Sequence, residues 1–113
     1  AYSNSSYNGT GFQATGGSVL SATYSTAAYN SGTGYYAGYI RFIDARDSIS
    51  SNNENGFRSA LFSLVYAVES NATDNTNYAY QQQQNSFIDA RNLTGDTTTS
   101  SSLNDTTDFI YGL

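Results

Sequence analysis

The chain is poor in the residues that build helices. Its 113 residues include no Met and no Lys, six Leu and only two Glu, while Ser, Thr, Asn, Gly and Tyr dominate. Of its 17 aromatic residues, 11 are Tyr and six are Phe. Tyr and Thr favour pleated, half-buried surfaces, and the missing residues are those with high helix propensity. We therefore predict a mainly β chain that forms a single β-sandwich-like domain.

The N-terminal part of the chain differs from the rest. Residues 1–17 are polar and glycine-rich, and Asn8-Gly9 is a turn signal. We predict that residues 1–17 form an extended N-terminal arm, which would pair as a strand with a neighbouring subunit. Residues 18–113 are predicted to form one β-rich domain, since a chain of this length supports a single core.

Several segments have the composition of strands. The best candidate is Tyr35–Asp44, whose alternate residues form two strand faces. One face has Tyr36, Gly38, Ile40 and Phe42, and the other has Tyr35, Ala37, Tyr39 and Arg41. The most apolar segment, Phe57–Val68, fits a helical stripe and a strand face about equally well. We favour a strand there from its residue types, with a helix as the alternative. Ser18–Tyr24 and Tyr78–Arg91 are further candidate strands.

A short motif occurs twice. The sequence FIDARD at 42–47 returns as FIDARN at 87–92, 45 residues later. On a strand, the acid and the base of each copy share one face. We interpret Asp44 with Arg46, and Asp89 with Arg91, as candidate contacts between subunits; the alternative is that each pair only orients a turn. The flanking residues do not align, so we do not predict a full tandem duplication.

The residues that are missing exclude much of enzyme chemistry. Without His, Cys or Lys, the chain lacks the usual catalytic triads, thiol nucleophiles, Schiff-base lysines and zinc ligands. We therefore predict that it is not an enzyme. Four Arg against nine carboxylates give a net charge of −5, which disfavours contact with nucleic acid. The longest apolar stretch is far shorter than the roughly 20 residues of a membrane span, so none is predicted.

We predict no cofactor, with calcium as the alternative, because hard cations bind carboxylate and amide oxygens. Two candidate groups of such residues lie close in sequence. The first contains Asp44, Asp47, Asn52, Asn53 and Glu54, and the second Asp96, Asn104, Asp105 and Asp108. Neither group has the spacing of a helix–loop–helix calcium site, and solvated loop carboxylates are the other interpretation.

Five sequons for N-linked glycosylation are present. Their asparagines are Asn4, Asn8, Asn71, Asn92 and Asn104. We predict that all five lie in loops or in the arm. A chain that begins at Ala is also what remains after a signal peptidase cuts, which predicts an extracellular or cell-surface location.

These features favour a structural function. Tyr is enriched at protein interfaces, and no Lys is present to guard sheet edges against pairing with another chain. We predict a glycosylated subunit of an extracellular filament, pilus-like fibre or surface coat, whose partners are copies of itself. One alternative is a viral capsid or tail subunit. Another is a secreted carbohydrate-binding module, in which Tyr35, Tyr36 and Tyr39 would stack on sugar rings.

Overall fold

The computed structural model is built from short β-strands. It describes residues 3–14, 19–39, 41–83, 85–92, 94–95, 103–105 and 110–111. Within these ranges all regular structure is strand, and there is no helix. The mainly β expectation is therefore confirmed.

The strands, numbered in chain order, form three parallel sheets of five strands each. Sheet A contains β1 (Asn4–Ser6), β4 (Thr26–Ala28), β7 (Ile49–Ser51), β10 (Asn71–Thr73) and β13 (Thr94–Gly95). Sheet B contains β2 (Phe12–Ala14), β5 (Thr33–Ala37), β8 (Asn55–Ser59), β11 (Tyr78–Gln82) and β14 (Leu103–Asp105). Sheet C contains β3 (Val19–Ser21), β6 (Phe42–Asp44), β9 (Leu64–Tyr66), β12 (Phe87–Asp89) and β15 (Ile110–Tyr111).

The chain visits sheets A, B and C in turn and then returns to A, which makes the fold a β-solenoid. We call three successive strands, one from each sheet, a coil. Paired residues of adjacent coils are 22 or 23 positions apart: Thr26 pairs with Ile49, and Ile49 with Asn71. Every residue therefore has a structural counterpart one coil away, and columns of counterparts run along the solenoid.

Left-handed backbone conformations turn the corners. Corner A leads from sheet A to sheet B, corner B from B to C, and corner C from C to A. Residues with positive φ recur at equivalent corner positions of successive coils: Tyr7, Tyr29, Asn52 and Asp74 at corner A, and Tyr24, Asp47, Glu69 and Asn92 at corner C. Asn and Asp tolerate this conformation better than Tyr or Glu do. The corner geometry is thus imposed by strand stacking more than by local residue preference.

The interior is filled by columns of similar side chains. Sheet B contributes an aromatic column whose rings stack at 5.1, 4.8 and 5.3 Å between centroids: Phe12, Tyr35, Phe57 and Tyr80. Sheet C contributes the aliphatic column Leu20, Ile43, Val65 and Ile88. In a parallel, in-register sheet, counterparts lie about 4.8 Å apart, so identical side chains stack. The interior therefore favours the same residue type in every coil.

Buried amides hold corner A together. The side-chain Oδ1 of Asn30 accepts a hydrogen bond from the backbone N of Asn8 at 3.0 Å. Asn53 accepts in the same way from Asn30 at 2.8 Å, and Asn75 from Asn53 at 3.0 Å. Each asparagine thus satisfies a backbone donor of the preceding coil, which would otherwise be costly to bury.

The expected β-sandwich with an extended N-terminal arm is wrong. β1 and β2 lie in the segment expected to form the arm, and they pair in parallel with β4 and β5 of the same chain. A sandwich requires strands long enough to cross a sheet, whereas most strands here have three residues. The boundary expected near residue 17 falls at residues 15–18, outside the described residues.

The expected long strands are also wrong. Tyr35–Asp44 turns corner B and is shared between β5 and β6, which lie in different sheets. Phe57–Val68 is neither a helix nor one strand, because it runs from β8 through corner B into β9. Its apolar residues looked helical because the segment combines interior residues of two sheets, Phe57 and Val65, with Leu64 on the outer face of sheet C.

The two FIDAR motifs belong to a repeat that covers the flanking sequence too. Phe42 pairs with Leu64, and Leu64 pairs with Phe87, so the 45 residues between the motifs span two coils. The flanking residues, which we expected not to align, are therefore structural counterparts coil by coil. The counterparts in the coil between the motifs, LVYAV at 64–68, keep the two apolar residues and the Ala of the pattern without its charges.

Candidate functional surfaces

The outer face of sheet C carries an apolar row. The row consists of Val19, Phe42, Leu64 and Phe87, which are register partners in four adjacent strands. Val19 is 69% exposed and Phe87 38%, and the two between them are partly buried. Phe62, at 63% exposure, lies beside the row at corner B. Exposed apolar surface of this kind marks contact sites.

An ion pair closes each FIDAR motif. Arg46 donates from Nε to Asp44 Oδ1 at 2.9 Å and from its terminal NH2 group to Oδ2 at 2.7 Å. Arg91 makes the same two contacts with Asp89, at 2.9 and 2.8 Å. The carboxylates are largely covered, while both guanidinium side chains remain 48% exposed. The two pairs therefore have the same geometry and present the same groups to solvent.

The coil between the two pairs carries a tyrosine. Tyr66 is the register partner of both Asp44 and Asp89, and the guanidinium of Arg46 lies over its ring at 5.2 Å from the centroid. The hydrogen bonds from Arg46 hold the pKa of Asp44 below its usual value. The four residues predicted as subunit contacts thus lie on one face, in two sets separated by one coil. Each set bonds internally, and its role between subunits stays a prediction.

The predicted sugar-binding tyrosines do not form one platform. Tyr35 is fully buried in the aromatic column, where burial raises its pKa to about 12. Tyr36 is half-buried on the outer face of sheet B, with the Arg58 guanidinium 4.9 Å from its ring centroid. Tyr39 is exposed at corner B. Because the three side chains face different directions, this expected site is wrong.

A different pair of tyrosines forms a cleft at corner A. The rings of Tyr7 and Tyr29 stack at 5.8 Å between centroids, with an interplanar angle of 10°. They are 81% and 55% exposed. With Asn8, Asn30, Ser31 and Asn52 they line an open cleft of about 550 Å³, which we call the Tyr7–Tyr29 cleft. None of the described residues that line it is charged.

The sequons are not all in loops. Asn4 begins β1, Asn71 begins β10 and Asn104 lies within β14, so the expected loop placement is wrong for these three. Asn8 and Asn92 lie at corners A and C, as expected, and their side chains are exposed. Most strands have only three residues and are separated by short corners. Polar segments that we interpreted as loops therefore contain strands.

The first candidate calcium group is dispersed. Asp44 is bound to Arg46 in sheet C, whereas Asn53 is buried in the amide column of corner A. β7 separates Asp47 at corner C from Asn52 at corner A. Of the second group, Asn104 and Asp105 are in β14, while Asp96 and Asp108 are outside the described residues. The described part of the chain contains no cluster of three acidic metal ligands.

Comparison with known proteins gives no relative: no protein family, curated protein or solved structure matches the chain. Across the described residues, no helix has the length and hydropathy needed to cross a membrane. Function therefore has to be argued from the surfaces themselves.

Sequence reasoning missed both surfaces, although each has a recurring signal. Two adjacent apolar residues, then one other residue and Ala, occur in four coils, at Val19-Leu20, Phe42-Ile43, Leu64-Val65 and Phe87-Ile88. The first residue of each pair faces solvent, and the second faces the core. The dipeptide Tyr-Asn likewise occurs at 7–8 and 29–30, one coil apart. Aligning the chain with itself at 22 to 23 residues would have revealed both.

Proposed function

We propose that the protein is a structural subunit of an extracellular fibre or surface coat and that it contacts copies of itself through sheet C. The observation that carries this proposal is the apolar row, flanked by two equivalent ion pairs. Apolar surface at the centre of a patch with polar groups around it is the usual anatomy of a protein interface.

The arrangement of the charges favours a second copy as the partner. The Asp44–Arg46 and Asp89–Arg91 pairs are related across the intervening coil, which contains Tyr66. A two-fold axis through that coil would place each pair of one copy against the other pair of the second copy. Such an isologous contact makes the same surface complementary to itself and closes a dimer. The dimer would be the building unit, and growth into a fibre or coat then requires a second contact at another face.

Three of the five sequons lie away from this face. Asn4 and Asn71 lie in sheet A, and Asn8 lies at corner A, the corner that does not border sheet C. Glycans attached there would cover one side of the solenoid and leave the apolar row accessible. Asn92, in contrast, follows Arg91 at corner C, so the proposed contact requires that Asn92 carries no glycan.

The first experiment replaces the two exposed ends of the row. We expect the wild-type chain to associate as its concentration rises, and the double variant Val19→Ser, Phe87→Ser to remain monomeric. Both side chains are substantially exposed, so the fold should survive. Light scattering across a dilution series measures the association, and electron microscopy shows whether fibres or sheets form.

Ile49→Ser is the matched control. Ile49 is also an apolar strand residue with 45% exposure, but it lies in sheet A. Its replacement should leave association unchanged. A wild-type chain that stays monomeric at every concentration would overturn the proposal, and so would association that persists in the double variant. The capsid and tail alternative predicts the same contacts and differs in requiring nucleic acid inside the particle.

A further inference from the structure

We infer that the Tyr7–Tyr29 cleft binds a neutral sugar. The cleft lies at corner A and does not include the sheet C face, so this inference is independent of the proposed self-association. It concerns residues other than Tyr35, Tyr36 and Tyr39, which do not form a common platform. The ligand class follows from the shape, the aromatic surface and the polar groups of the cleft.

Two aromatic rings stand in solvent without a structural reason to do so. Their counterparts in the next two coils, Asn52 and Asp74, show that the corner needs no aromatic side chain. The interior rings of Phe12 and Tyr35 stack inside the core, whereas those of Tyr7 and Tyr29 keep most of their surface exposed. Exposed aromatic rings offer an apolar surface on which the C–H groups of a sugar ring can pack.

Asn52, the third member of the corner A column after Tyr7 and Tyr29, provides room and hydrogen bonds for a ligand. Asn52 follows Tyr29 in the next coil, where its smaller side chain leaves space beside the Tyr29 ring. Its amide makes no hydrogen bond to another described residue. The amide of Asn30, in contrast, is occupied: it donates to Ser5 O at 3.2 Å and to Asn53 Oδ1 at 3.0 Å. Asn52 is therefore the amide that can donate to and accept from a ligand hydroxyl.

The remaining features disfavour anions and suit a neutral ligand of moderate size. With no charged residue in the lining, an anion would find no counter-charge in the cleft, and a cation would have only the two tyrosine rings as partners. Its volume of about 550 Å³ falls within the range of small-molecule sites, roughly 300–1,000 Å³. An aromatic wall with a few neutral amides and hydroxyls is what a neutral oligosaccharide requires.

The sugar has two possible sources. Asn8 is both an exposed residue of the cleft and the acceptor of a sequon, so a glycan attached there would reach the tyrosine rings directly. A separate oligosaccharide would make the same contacts. The chemistry of recognition is the same in both cases, and expression with and without glycosylation distinguishes them.

The first test uses unglycosylated full-length protein in the Val19→Ser, Phe87→Ser background, which keeps it independent of association. Neutral tetrasaccharides of glucose, mannose, galactose and N-acetylglucosamine are titrated while backbone amide chemical shifts are recorded. We expect at least one sugar to shift the amides of residues 7–9 and 29–31. Replacing Tyr29 by Ala should weaken its binding at least about fivefold, while Tyr29→Phe should retain it.

Tyr24→Ala is the control, because Tyr24 is another exposed tyrosine with positive φ but lies at corner C. It should leave sugar binding unchanged. Tyr7→Ala provides a second variant if Tyr29→Ala fails to fold. The inference is overturned if none of the four sugars shifts these amides, or if Tyr24→Ala weakens binding as much as Tyr29→Ala does.

The second test identifies the source. Protein from a glycosylating host is compared with its Thr10→Ala variant, which removes the Asn8 sequon and preserves the asparagine. If the attached glycan fills the cleft, only Thr10→Ala will bind the added sugar. If the ligand is a separate oligosaccharide, both will bind it. Failure of both forms to bind would overturn the inference.

Discussion

The interior columns of the solenoid repeat one kind of residue, whereas one outer column of sheet C alternates between Asp and Tyr. On the inner side of sheet C, Ile43, Val65 and Ile88 are aliphatic in every coil. On the outer side, one column reads Asp44, Tyr66 and Asp89 through the same strands. Interior side chains must fill the same space in each coil, while outer ones only have to be compatible with their neighbours. The residues that build the fold and those of the proposed contact surface thus lie on opposite sides of the same short strands.

The largest expected effect on stability comes from comparing two phenylalanines, one in the interior and one on the outer surface. Phe57 is buried between the rings of Tyr35 and Tyr80, at 4.8 and 5.3 Å. Phe57→Ala should cost about 3–5 kcal/mol of unfolding free energy through loss of burial and a residual cavity. Phe87→Ala, on the outer side of sheet C, should cost about 1 kcal/mol or less. Urea unfolding of the two variants measures both, and equal losses would contradict the division between inside and outside.

For each side chain, a smaller loss of stability is expected at alkaline pH. Burial raises the pKa values of Tyr35 and Tyr80 to about 12. Between the ordinary value of 10.0 and about 12, the folded chain keeps protons that the unfolded chain loses, so stability falls as pH rises through this range. The resulting loss of unfolding free energy is at most roughly 2–3 kcal/mol for each tyrosine.

Tyrosinate absorbance during a base titration checks this expectation. In the wild type a late component should appear together with unfolding, and Tyr35→Phe with Tyr80→Phe should remove it. These substitutions leave the rings in place but remove the hydroxyl contacts to Ser25 and Ser70. Ionisation of all tyrosines in the folded wild type before any unfolding would refute the buried assignment.

The smallest effect concerns the ion pairs. Arg46→Gln removes the hydrogen bonds that lower the pKa of Asp44, and it should lower stability less than either change above because solvent screens the exposed guanidinium. The stabilisation from Asp44 is present above its unfolded pKa and is lost as pH falls through the folded value. Thermal melts of both proteins should therefore converge at low pH. A difference that persisted after Asp44 is protonated would indicate a packing effect of the Arg46 side chain.

The strand content followed from composition, but the topology did not. A strand of three residues, such as Phe42–Asp44, is too short to display the alternation from which strands are recognised. Some corners of the solenoid also lack the usual turn residues. Tyr24 and Glu69 adopt positive φ where Gly or Asn would be the expected signal. Parallel stacking imposes these conformations from outside the local sequence.

The repeat was hidden for a related reason. Spacings of 22 and 23 residues are mixed along the chain, so a comparison at one fixed spacing loses register. The FIDAR motifs drew attention because two coils restore both the spacing and the charges. The recurring Tyr-Asn dipeptide marks the residues of the Tyr7–Tyr29 cleft in the sequence, but the proximity of the two rings depends on the stacking of β1 on β4.

The alternation on sheet C also sets how such a chain can grow during evolution. Duplicating only the coil that carries Asp44 or Asp89 would place two aspartates in adjacent strands, about 4.8 Å apart, where like charges destabilise a sheet. Duplicating two coils together would restore Asp beside Tyr, and Tyr111 already continues the series as the partner of Asp89. A pair of coils is therefore the unit whose duplication would lengthen the molecule while preserving this pattern.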